Sequence, residues 1–370
     1  MIIAKIETFP LRIPFKPGTK SDAAAWGDKN LQVADSLLVK VTTDQGLEGW
    51  GETFGFRAVP SAKLAIDELI APLCVGQDAT QIAPLMLEIQ KKLHVFGRSG
   101  PLMYGISAVD IALWDVAGKA ANVPVYRLLG GGEADLACYA NMVRYSDPSI
   151  VGANVRRAID DGFRSLKLHE IKLSAVRAGR EEAGADVELM LDVNCPWTLY
   201  EARTRAREHE EFHLKWLEEP LWPPENYDGL AQLRRACSIP IAAGENVSTL
   251  KDFDRLMAAG AVDFVQPSPA KMGGISELCK VFPIAAVRNI TVMPHCFYDG
   301  PGLLAAIHVT SALGTAHSMI EWRRFDLEAQ IYNGALTSKG GRISVPQRPG
   351  LGLEPDPNVI RQYLSRDYRS

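Results

Sequence analysis

Beyond residue 125 the chain repeats one pattern: a short apolar run ends in a polar residue, and a longer segment with helical spacing follows. The apolar runs end near Ala140, His169, Asn194, Glu219, Glu245, Ser268, His295 and Glu321, at intervals of 29, 25, 25, 26, 23, 27 and 26 residues. Eight βα units of this length predict an α/β fold of the (β/α)8-type TIM barrel. Each polar residue then stands at the C-terminal end of its strand, where barrel active sites lie. In FRSLKLHE (163–170), alternation puts Leu166 and Leu168 on one face and Lys167 and His169 on the other. With the leucines against the helix layer, the two basic side chains face the barrel mouth.

The first 125 residues read differently. MIIAKIETFPLRIPF alternates as a strand. LLVKVTTDQGLEGWGET (37–53) reads as two strands turning around Asp44-Gln45-Gly46. ISAVDIALWDVAGKAA (106–121) sets Ile106, Val109, Leu113, Val116, Ala117 and Ala120 at helical spacing, with Pro124 beyond the end. LLGGG (128–132) then punctuates the chain. The expected division is an α+β domain over 1–125, a barrel over 126–335, and a segment over 336–370 that returns to the first domain.

Composition narrows the class. The 370 residues are 47% hydrophobic and 23% charged, which suits a large globular core. A net charge of −4 and no basic run give no footprint for nucleic acid or an anionic membrane. The six cysteines are far apart and form no CxxC pair, so they read as reduced thiols. The N-terminal strand lacks the apolar core of a signal peptide, and no window approaches 18 apolar residues. The expected setting is cytoplasmic.

Three strand ends are acidic: LMLDVN offers Asp192, WLEEP offers Glu218 and Glu219, and IAAGEN offers Glu245. Asp192, Glu218 and Glu245 are 26 and 27 residues apart, one barrel unit each, so three carboxylates converge from adjacent strands. Such a cluster needs a cation or raised pKa values. All-oxygen ligation without Cys or His favours a hard ion, Mg2+ above all. Asn194 is placed to support Asp192.

With these residues in view, the chain resembles the enolase superfamily, in its mandelate racemase and muconate lactonizing enzyme branch. SAVDIALWDVAGKAANVPVYRLLGG (107–131) is similar to the segment that closes the family's capping domain. LDVN, LEEP and AGEN resemble its metal motifs, and FVQPSPAKMGGISE, VMPHC and IEW its strands six to eight. The resemblance implies removal of a proton next to a carboxylate, with the resulting enediolate held on Mg2+. It implies Asp192, Glu218 and Glu245 as ligands, His295 as a catalytic base or acid, and Glu321 as a hydrogen-bond partner of the substrate carboxylate. Lys167 matches the first lysine of the family's strand-two K-x-K, and His169 stands where the second, ordinarily the base, is found.

Two positions depart from the family pattern. K-x-K is K-x-H here, which leaves the base to be assigned among His169, His295 and Lys167. Ser268 stands where histidine-using relatives carry an aspartate that orients the strand-seven histidine, so His295 is expected to be the weaker base and to serve as a general acid. Lys271, three residues further on, is placed on a loop, and Gly273 and Gly274 beside it suggest a backbone anion site. The resemblance also implies substrate-contacting loops at 14–27 and 53–59, with Trp26, Phe54, Phe56 and Arg57 to watch and Asn194 and Ser268 at the rim. The leading expectation is a dehydratase of a sugar acid or other hydroxy acid; the second is a racemase or epimerase of a small carboxylic acid. The cycloisomerase and dipeptide-epimerase side carries lysine where Ser268 stands, which points away from it. A non-catalytic barrel is the remote third reading. A small carboxylate partner and a homo-oligomer are expected.

Overall fold

A computed structural model describes residues 1–16, 32–324 and 326–367. Trp26 falls outside them. Three antiparallel strands open the chain: β1 (Ile3–Lys16), β2 (Val33–Thr43) and β3 (Glu48–Glu52), with the β2–β3 turn at Asp44–Leu47. The long helix Gly100–Ala120 lies across this sheet and is buried along most of its length. The approach is close: a Cβ on Gly51 would stand 1.8 Å from the Ala108 carbonyl oxygen, so only glycine fits the strand there. Ile66, Ile70, Ile106 and Val109 fill the core between sheet and helices, each stabilising by roughly 1.5–3 kcal/mol on burial.

The alternating pattern builds the second sheet. Its strands are β4 (Asp135–Asn141), β5 (Ser165–Leu168), β6 (Glu188–Asp192), β7 (Leu217–Glu218), β8 (Ile241–Ala243), β9 (Phe264–Val265), β10 (Thr291–Val292) and β11 (Ile320–Arg323). From β4 to β10 they pair in chain order, all parallel, and β11 pairs with β4, which brings first and eighth strands together. Tyr139, Met190, Trp216, Ala242, Met293 and Met319 pack inside as the barrel floor. Outward-facing Leu166, Leu168, Leu189 and Leu191 meet the helices.

The last unit departs from the expected eight repeats. β11 is followed not by a helix but by β12 (Asp326–Leu327), which pairs with β1 and joins the two sheets' domains. A hairpin of β13 (Ser338–Lys339) and β14 (Arg342–Ser344) then adds to β4, and the helix Pro357–Tyr363 lies near β1, where the Ser365 amide donates to the Pro10 carbonyl.

Buried polar groups line the seam between the two domains. Asp115, from the long helix, accepts from the amides of Trp50 (2.9 Å) and Leu351 (2.7 Å). Asp110 accepts from the Ser276 amide at 3.0 Å, at the start of the barrel helix Gly274–Val287, and burial pushes its carboxyl up to about 7. This accounts for Gly274: a Cβ there (φ +78°) would stand 2.2 Å from Asp110 Oδ1, and the acceptor at that helix start is the protein's own Asp110 carboxyl. All six cysteines are free thiols. Among the described residues no helix is long and apolar enough to cross a membrane.

Candidate active site

Alternation along β5, β6, β7 and β11 turns Lys167, Asp192, Glu218 and Glu321 inward at the strand ends, while Glu245, His169 and His295 lie just past theirs. One carboxylate oxygen from each of Asp192, Glu218 and Glu245 lies within 4.8 Å of the other two. Asp192 Oδ2 is buried and finds no hydrogen-bond donor among the described residues. Two fully buried acids, a third mostly buried one and an orphaned oxygen suit a hard divalent cation, and all the donors are oxygen.

Lys167 sits beneath the cluster. Its Nζ is 2.8 Å from Glu218 Oε1, 2.9 Å from Glu321 Oε1 and 3.7 Å from Asp192 Oδ2. Burial opposes its charge, but Glu218 and Glu321 outweigh that and hold the ammonium protonated well above its usual range. Burial likewise raises Glu218, against the pull of Lys167, whereas Glu321 falls because Lys167 and His295 overcome its burial.

The two histidines flank the triad. His169 Nε2 is 3.1 Å from Asp192 Oδ2, and its Nδ1 is 2.5 Å from the Met142 carbonyl. A carbonyl can only accept, so Nδ1 carries a hydrogen towards Met142, and Nε2 is the ring nitrogen turned to Asp192 and the mouth. His295 Nε2 is 2.9 Å from Glu245 Oε2, and its Nδ1 is 3.1 Å from Ser268 Oγ. The hydroxyl thus occupies the orienting position and is itself bonded to the Tyr298 hydroxyl.

The remaining candidates separate into the mouth and its rim. Phe56 stacks on Phe297 at 5.4 Å, and Phe297 in turn lies 6.4 Å from the His295 ring. Arg57 is exposed on the short turn Phe56–Ala58, near Asp35. Asn194 supports Asp192 through its backbone, whose N–H donates to Oδ1 at 2.8 Å, while its side-chain oxygen accepts from Arg144 at 3.0 Å. Glu219 is held by the Asn246 amide at 2.9 and 3.0 Å. Lys271 lies on the turn before Gly273, yet it is buried, 3.3 Å from Asn246 Oδ1 and over the Phe54 ring at 4.6 Å.

Four residues enter the site unannounced by sequence. Asn141 donates to Glu321 Oε1 at 2.5 Å, and the Cys296 amide to Glu321 Oε2 at 2.6 Å. Arg144 bridges the carbonyls of His169 (2.6 Å) and Val193 (3.2 Å), tying the ends of β5 and β6 together. Tyr298 is the fourth. Asn141 was the most accessible of these, one residue past the first strand end.

Comparison with known proteins places these features in a lineage. The enolase C-terminal domain-like family matches residues 151–359, and the mandelate racemase / muconate lactonizing enzyme N-terminal domain matches residues 23–130. The arabinonate dehydratase of Saccharolobus solfataricus is 31% identical over 340 residues, 88% of this chain and 90% of its own. The 3,6-anhydro-alpha-L-galactonate cycloisomerase of Streptomyces coelicolor is 30% identical over 363 residues, 95% of this chain and 96% of its own. A racemase from Streptomyces coelicolor, solved with bound magnesium, superposes with a TM-score of 0.87 at 28% identity, covering 98% of this chain and 100% of that one.

Proposed function

Because the chain belongs to the mandelate racemase / muconate lactonizing enzyme family of the enolase superfamily, we propose that it dehydrates a sugar acid or related hydroxy acid. Asp192, Glu218 and Glu245 hold Mg2+ in this reading, which as a Lewis acid stabilises charge developing on the substrate carboxylate. Lys167 adds a fixed positive charge to the same region, and Glu321, taking up a proton as the substrate's negative charge arrives beside it, donates a hydrogen bond to a carboxylate oxygen. His169 takes the α-proton on Nε2, the nitrogen its tautomer leaves free to accept. The enediolate electrons then expel the β-hydroxyl, which leaves as water with a proton from His295, and the enol product tautomerises to a 2-oxo acid.

The observation that carries this reading is the placement of the two ring nitrogens. They face different members of the acid triad, 3.1 Å from Asp192 Oδ2 and 2.9 Å from Glu245 Oε2. Incubating purified protein and Mg2+ with a panel of sugar acids in deuterium oxide, arabinonate and galactonate first, tests it. A 2-oxo acid product supports dehydration; no turnover of any hydroxy acid overturns it. The same flanking pair favours racemisation or epimerisation as the second reading, in which solvent deuterium enters one carbon without loss of water. The similarity to a sugar-acid cycloisomerase also widens the field beyond what Ser268 suggested, since intramolecular addition or elimination uses the same α-proton step. A homo-oligomer is the proposed assembly, open to light scattering.

A further inference from the structure

The capping sheet sends one carboxylate across the seam that the chemistry above does not use. Glu52, the last residue of β3, is 1% exposed. It accepts from Ser36 Oγ at 2.7 Å and, through Oε2, from the amides of Gly300 and Gly302 at 3.0 Å each. Those amides open the barrel helix Pro301–Leu313, where unpaired N–H groups and the helix dipole favour an anion. The two glycines leave room for it: a Cβ on Gly300 would stand 2.8 Å from Oε2, and one on Gly302 3.2 Å away. A buried carboxylate is costly to hold for stability alone.

What the helix start controls is the histidine five residues before it. Between His295 and Gly300 lie the Cys296 amide on Glu321, the Phe297 ring against His295, and Tyr298, whose hydroxyl meets Ser268. The residues after Glu52 grip the same segment. The Phe54 ring meets Tyr298 edge-on at 6.3 Å and Phe56 stacks on Phe297, while the Phe54 amide donates at 3.2 Å to the Ala270 carbonyl, on the loop that carries Ser268. Among the described residues His169 is anchored instead by the barrel's own Met142 carbonyl.

We propose that Glu52 is a positioning residue for His295: by fixing the start of helix Pro301–Leu313 it holds the Cys296–Asp299 segment, and so makes the docked capping sheet part of the acid half of the site. The inference rests on the reading of His295 as the general acid.

The test is Glu52→Gln, which keeps the shape and removes the charge. Hydrogen–deuterium exchange of the Mg2+-loaded protein should show the amides of 296–302 exchanging about 10-fold faster, with the β5–β6 strand ends unchanged. With arabinonate or galactonate as probe, washout of the α-proton should stay within about 3-fold of the parent, while loss of water slows about 10- to 100-fold, the scale of a misplaced catalytic group. In a His295→Asn background, Glu52→Gln should cost nothing further, since its route is already cut. Ser36→Ala, a milder change, should reproduce the same selective pattern at about 3-fold. Equal slowing of both steps, additive losses in the double variant, or unchanged exchange at 296–302 each overturn the proposal. If His295→Asn leaves loss of water intact, the acid assignment falls and takes this inference with it. If His295→Asn slows loss of water and Glu52→Gln does not, only the role of Glu52 falls.

Discussion

The His169 side and the His295 side of the acid triad are built from the same parts and held by different means. Each histidine points Nε2 at a carboxylate, Asp192 on one side and Glu245 on the other. Behind His169 stands a backbone carbonyl, a partner with one possible role, on a strand end that Arg144 ties to its neighbour. Behind His295 stands a hydroxyl that can donate or accept, in a loop gripped by the capping sheet. A fixed acceptor sets one tautomer and suits a base; a rotatable hydroxyl tolerates a proton that comes and goes. On the proposed mechanism, similar nitrogen-to-carboxylate distances would serve different steps because of the atom on the far side of the ring.

The largest expected effect removes what the two sides share. Asp192→Asn, Glu218→Gln and Glu245→Gln should each weaken Mg2+ binding and cost activity about 10³-fold or more, since several kcal/mol of charge stabilisation go with the ion. The barrel packs below the mouth, so the fold should persist by circular dichroism. Full activity with unaltered metal affinity would remove that residue from the ligand set. Next comes Lys167→Ala, expected to lower kcat/KM about 10²- to 10³-fold, the scale of one preorganised electrostatic contact. A loss confined to KM would recast Lys167 as a ground-state contact.

Breaking the symmetry itself is the third test. His169→Asn should abolish α-proton exchange with solvent deuterium, while His295→Asn should retain exchange and slow loss of water. The opposite pattern would exchange their roles, and retention in both would bring Lys167 forward as base. Smaller still is Ser268→Ala, expected to slow the His295 step about 10-fold by loss of one orienting hydrogen bond (about 1.4 kcal/mol) and to leave exchange at His169 untouched.

A third histidine sharpens the comparison from outside the site. His308, in the seam, accepts from the Tyr126 amide and donates to the Leu351 carbonyl, with no carboxylate partner among the described residues. Burial lowers its pKa from 6.5 to about 4. The folded state therefore resists a proton that the unfolded chain accepts. This contribution is complete above pH 6.5 and is lost as pH falls towards 4, by about 3 kcal/mol. Urea unfolding should show the parent's stability relative to His308→Gln constant above pH 6.5 and falling by about 3 kcal/mol as pH drops towards 4; parallel curves at every pH would refute it.

The amino-acid sequence determined the barrel and its acids, because both are written as periodicities. Alternation in SLKL turned Lys167 inward, and a repeat of 26 and 27 residues put Asp192, Glu218 and Glu245 on adjacent strands. It also placed His169 and His295 at strand ends, since the βα repeat counts residues rather than contacts. It overcounted the repeat by one helix, because β11 leads instead into β12, whose partner is β1, more than 300 residues earlier. Only the tertiary structure decided what stands behind each histidine. Asn141, Arg144 and Tyr298 have no periodicity to announce them, and Glu52 meets Gly300 across 248 residues. Local patterns fix which way a side chain points. The partner it finds there depends on how two domains close on each other, and no spacing within one segment carries that information.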